Sequence, residues 1–79
     1  MTKKKTLKRI ITFSTTTDAM AFERHCLDHD IPGRLIPVPG QISAGCGMCW
    51  MVKEEDAGPS LKLAEKGIMK TEGIYWITL

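Results

Sequence analysis

Gly33-Arg34-Leu35-Ile36-Pro37-Val38-Pro39 and Met48-Cys49-Trp50-Met51-Val52-Lys53 are two apolar runs joined by a loop of mostly small residues, 40–47. Both runs read as strands. The second is rich in large apolar side chains. In the first, two prolines remove ladder donors, which makes it a short or edge strand ending near Val38. Two strands in succession, with no helix between them, form the centre of the chain. What flanks them decides the architecture.

Upstream, residues 8–13 (Lys-Arg-Ile-Ile-Thr-Phe) read as a first strand. The hydroxyl run Ser14-Thr15-Thr16-Thr17 with Asp18 reads as a helix start. A side-chain oxygen there can accept from the orphan N–H groups, and the carboxylate suits the positive end of the dipole. The helix is predicted over residues 17–29. Ala19, Phe22 and Cys26 form its apolar stripe, Met20 and Leu27 lie on the flank, and Pro32-Gly33 stops it. Downstream, residues 54–59 are a polar connection. Ser60 is placed to cap a second helix carrying Leu61, Leu63 and Ala64 and ending at Gly67, and residues 73–79 read as a closing strand. The order βαββαβ is that of the ferredoxin-like split βαβ fold, an α+β class. It predicts a four-stranded antiparallel sheet with two helices on one face and the other face open. Alternation in the last strand puts Ile74, Trp76 and Thr78 on one side and Tyr75, Ile77 and Leu79 on the other. Apolar groups on both sides predict a homo-oligomer formed through the open face.

Seventy-nine residues with 43% hydrophobic content suit one small domain, read as residues 8–79 behind a disordered basic tail, 1–7. Such a chain buries one core but walls off no deep cavity, so its chemistry belongs at the surface or in a site completed by a second chain. A net charge of +2 is too small to point to nucleic acid or to an anionic membrane. No apolar stretch reaches spanning length and no signal-peptide core opens the chain, so a cytoplasmic protein is expected. Three cysteines, an odd number, do not suggest a disulfide framework.

Chemistry concentrates in Ser43-Ala44-Gly45-Cys46-Gly47-Met48-Cys49. Gly45 and Gly47 leave the Cys46 sulfur sterically open and let backbone N–H groups turn toward it, which suits a nucleophile or a soft metal ligand. If residues 46–49 are extended, the two cysteine Cα atoms stand roughly 10 Å apart with side chains on opposite faces. A disulfide needs no more than about 7 Å. Cys46 is therefore expected to act alone. Cys49 is a resolving thiol only if the chain turns at Gly47-Met48. Cys26, on the helix stripe, is expected to be a packing group.

Thr15-Thr16-Thr17-Asp18-Ala19-Met20-Ala21, the 33–39 run and Ile42-Ser43-Ala44-Gly45-Cys46-Gly47 closely resemble the small bacterial selenium/sulfur carrier-like family. The resemblance covers about residues 8–79. It maps the family's motif cysteine, the one before glycine, onto Cys46. It implies a thiol that holds sulfur or selenium as a persulfide or selenopersulfide, taken from a donor protein and given to an acceptor. At the position of Cys49 the family often has an ordinary apolar residue. The expected site is Cys46 as carrier thiol, with Gly45, Gly47, Ser43 and Arg34 around it. Arg34, if near, would offer charge to the thiol and to an anionic partner. No cofactor is expected, and a carrier is expected rather than an enzyme with its own turnover, since no His-Asp arrangement accompanies the cysteine.

Two other readings compete. Ferredoxin-like metal carriers place a CxxC at the start of the first helix, where this chain has hydroxyl residues. His25 and His29, with Cys46 and Cys49, would make a tetrahedral set but in no familiar zinc spacing. An interaction module using the apolar sheet face, with Cys46 incidental, is the other alternative. The middle strand lacks the interleaved aromatic and basic pattern of RNA-binding modules.

Overall fold

The structure is a computed structural model that describes residues 6–42, 45–67 and 69–78. Strand β1 (Leu7–Thr12) is followed by helix α1 (Thr16–Asp28), β2 (Arg34–Pro37), β3 (Met48–Lys53), a single 3-10 turn (Glu54–Asp56), α2 (Gly58–Lys66) and β4 (Gly73–Thr78). All pairings are antiparallel, in the order β2-β3-β1-β4. This is the ferredoxin-like α+β fold expected from the order of elements. β1 starts at Leu7, one residue before the expected domain boundary, and residues 1–5 of the expected tail lie outside the described residues.

Helix α1 begins where the hydroxyl run permits. Thr15 is the cap, and its Oγ1 accepts the Asp18 N–H at 3.1 Å. Ala19, Phe22 and Cys26 are the buried stripe. After His29 the chain reverses through Asp30 at φ 53°, and the Ile31 N–H returns to the Cys26 carbonyl at 2.8 Å, satisfying a helix-end acceptor. Gly33 then takes φ 131°, and a Cβ there would lie 2.5 Å from the Trp50 ring. No other residue type fits that position without moving the indole.

Helix α2 corrects one expectation. Ser60 does not cap it. The helix opens at Gly58 with Pro59 in its first turn, where a missing N–H costs nothing. Ser60 is instead fully buried, and its Oγ accepts the Trp50 Nε1–H at 3.0 Å. The indole N–H would be an orphan in the core without it. Gly67, at φ 69°, ends the helix as expected.

The main core lies between the sheet and both helices. Ile11, Phe13, Ala19, Phe22, Cys26, Trp50 and Leu63 form it. Phe13 and Phe22 meet at 5.3 Å and Phe22 and Trp50 at 5.6 Å, both inclined. Such pairs add about 0.5–1.5 kcal/mol each beyond their buried area.

The second face is less open than the sequence pattern implies. Ile10 and Cys49 are completely buried there and Ile77 nearly so, with Ile36, Val38, Ile42 and Met51 packed around them. Val38 and Ile42 belong to the connection between β2 and β3, which folds back over the sheet through a turn closed by the Ile42 N–H to the Pro39 carbonyl at 3.0 Å. A small second core therefore forms within a single chain.

Candidate functional site

The β2–β3 connection returns to the sheet at the end where β1 finishes and α1 begins. Pro37 pairs with Met48, and the ladder bond beside them runs from the Val38 N–H to the Gly47 carbonyl at 3.0 Å. That bond does not call on Pro37, so proline costs nothing at this position. Beyond it the loop is held by two glycines. At Gly45 a Cβ would stand 2.9 Å from the Ser14 carbonyl oxygen, so the loop backbone lies directly against the connection into α1. Gly47 has φ 76°, a left-handed conformation that glycine adopts without the Cβ penalty. It turns the chain from Cys46 into β3.

This turn folds Cys46 back on its own strand. Its Sγ lies 3.2 Å from the Met48 carbonyl oxygen, to which the thiol donates, and 3.4 Å from the Met48 nitrogen, whose N–H points at the sulfur. The thiol thus occupies both backbone groups of the first residue of β3. When the proton leaves, or when a second sulfur replaces it, the donation to the carbonyl is lost and the N–H contact remains available to the sulfur. Cys46 is half-buried, resting on the helix-side core.

The other two thiols differ sharply. Cys26 and Cys49 are both completely buried. Burial pushes the Cys26 thiol up from 9.0 to about 11. The Cys49 thiol rises equally, from burial first and then from the charge of Cys46. Both are protonated and shielded near neutral pH. Cys26 packs in the α1 stripe. Cys49 belongs to the second-face core with Ile10 and Ile77, whereas Cys46 packs on the helix-side core. Residues 46–49 are therefore not extended as the opposite-face reading assumed: Gly47 turns the chain, and the charge of Cys46 is felt at the Cys49 thiol, although the two cysteines pack against different cores. All three cysteines are free thiols.

Arg34 heads β2 in register with Met51, three pairs along from Met48. At about 3.3 Å per residue, its Cα is roughly 10 Å along the strands from the Cys46 end. Ser43 lies outside the described residues. His25 and His29 stack face to face at 4.2 Å, and the His29 Nδ1 is 2.9 Å from the His25 carbonyl oxygen. Among the described residues no group of three or more His, Cys, Asp or Glu side chains is placed to hold a metal ion. No helix among them is long and apolar enough to cross a membrane.

Two neighbours of the site escaped the sequence reading. Met48 supplies both backbone partners of the thiol, and Ser14 supplies the surface against which Gly45 lies. Only the cluster of glycines around Cys46 hinted at such close backbone approaches. Glu72 reaches the same end of the sheet, its N–H donating to the Thr12 carbonyl at 2.7 Å and its carboxylate 3.4 Å from the Ser14 hydroxyl.

Comparison with known proteins gives one match. Residues 8–76 fit the family model described as "Putative Se/S carrier protein-like". No curated protein and no solved structure matches the chain. That match spans most of the sequence, including all of the described Cys46 turn, and the chain belongs to this selenium/sulfur carrier-like family.

Proposed function

We propose that this protein carries sulfur or selenium on Cys46 and passes it from a donor protein to an acceptor protein. The observation that supports this reading most is the contrast among its thiols. Cys46 alone reaches the surface, on a turn that puts the Met48 N–H against its sulfur, while Cys26 and Cys49 are buried. The loading step is a displacement. The Cys46 thiolate attacks the outer sulfur of a donor cysteine persulfide, the Cys46–sulfur bond forms, the donor's S–S bond breaks, and the donor leaves as its thiolate. With a selenopersulfide the attacked atom is selenium. Discharge is the same displacement with the acceptor as nucleophile. In this reading Cys49 takes no part in either step, which its complete burial and raised thiol pKa support.

The reduced protein, incubated with a cysteine desulfurase and cysteine, should gain one sulfur per chain by intact mass. Treatment with a thiol reductant should remove it. Absence of any gain, under conditions that load an authentic sulfur carrier, would overturn the proposal.

A further inference from the structure

The sheet has two edges, and they are treated differently. The β2 edge is four residues long, begins with a charged residue and ends on Pro37. Short length, charge and proline are the usual devices that stop an edge from recruiting another strand. The β4 edge has none of them. Gly-Ile-Tyr-Trp-Ile-Thr is six residues long, with no charge and no proline. Its outer row of backbone N–H and C=O groups faces away from β1. Of the large apolar side chains exposed among the described residues, Ile74 (39%), Tyr75 (40%) and Trp76 (56%) lie on this strand, and Leu7 (38%) lies on the strand beside it.

We infer that two copies of this chain pair antiparallel along β4, joining their sheets edge to edge in a reversible dimer. The occupant is a second copy because the strand is complementary to itself. Centred on Tyr75, the two-fold pairing sets Ile74 opposite Trp76 of the other copy, twice, on the helix side of the sheet. These are aromatic–β-branched cross-strand pairs, a favourable class. Glu72 meets Thr78, and no like charges oppose each other. Trp76 is already held for such packing by the Arg9 guanidinium, 4.0 Å over its ring, and Arg9 is itself fixed by Glu54 at 2.9 Å. The second face, by contrast, has its central residues covered by Val38 and Ile42, so the edge is the better seat for association. The area sets the strength. With about 250 Å² for a fully exposed large aromatic, Trp76 and Tyr75 together offer roughly 240 Å² per copy. Even with Ile74, Leu7 and the edge backbone, the interface falls in the small, transient class below about 1,200 Å² in total.

Sedimentation velocity on the reduced protein, from about 10 μM to about 1 mM, spans the range where an interface of that class changes occupancy. The mass should rise from monomer toward dimer, and amide exchange across residues 73–78 should slow in parallel. Tyr75→Lys and Tyr75→Glu, each alone, place like charges across the two-fold axis and should remain monomeric, while an equimolar mixture should dimerise. Monomer at every concentration would overturn the inference. So would a dimer whose exchange protection falls on β2 or α1, or a mixture no more associated than its components. The exchange measurement needs only the unsubstituted chain, so a variant that fails to fold does not remove the test.

Discussion

If burial and not sequence neighbourhood controls these thiols, alkylation should divide the three cysteines into one fast and two slow. At pH 8 an ordinary thiol near pKa 9.0 is about one-tenth ionised, whereas one near 11, as at Cys26 and Cys49, is about one-thousandth ionised. Ionisation alone costs about a factor of 100. The more basic thiolate is a better nucleophile, and a Brønsted slope of about 0.4–0.5 returns a factor of roughly 6–10. Chemistry therefore leaves about a tenfold deficit. Access adds the rest. Both residues are completely buried, so the reagent waits for local opening, and an opening free energy of about 2 kcal/mol slows labelling roughly 30-fold more. The product is a gap of roughly 300-fold from an ordinary surface thiol. Iodoacetamide labelling with time-resolved peptide mass mapping reads each site separately. Cys46 should label first, as one equivalent, and in denaturant all three rates should converge. Native Cys49 or Cys26 labelling within a few-fold of Cys46 would refute the reasoning.

Gly33→Ala should be costly, since φ 131° and a 2.5 Å approach to the Trp50 ring combine backbone strain with overpacking, together roughly 2–5 kcal/mol by urea denaturation. Trp50→Phe leaves the buried Ser60 hydroxyl without its donor and should cost at least about 1–3 kcal/mol; adding Ser60→Ala should recover part of that loss. The buried thiols also predict a pH dependence. Their folded values of about 11 lie above the unfolded value near 9, so the folded state holds their protons more tightly. Their contribution is complete below pH 9 and is lost as pH rises toward 11, by about 2 kcal/mol for each thiol. Urea midpoints measured across that window should fall, and the fall should be shallower in Cys49→Ala.

Much of this architecture is legible because local signals agree. The 3.6-residue spacing of Ala19, Phe22 and Cys26 and the hydroxyl residues before them locate α1 to within a residue. Two apolar runs with only a loop between them give the central strand pair, and with it the split βαβ order. What was not legible depends on partners distant in sequence. Ser60 has the look of a cap, and only the Trp50 indole opposite it shows why it is drawn inward. The second face looks open because nothing in residues 38–42 announces that Val38 and Ile42 fold back over Ile10 and Cys49. At the site, the two glycines are visible in the sequence. The Ser14 carbonyl that excludes a side chain at residue 45 is not, because it lies thirty-one residues earlier in the chain.

The central claim is that Cys46 alone bears the cargo. Its most direct test is intact mass after desulfurase loading of three reduced proteins side by side: the unsubstituted chain, Cys46→Ser and Cys49→Ser. The account predicts one added sulfur in the first and third and none in the second, with all three folded by circular dichroism. Sulfur retained on Cys46→Ser, or lost with Cys49→Ser while the fold is intact, would contradict it.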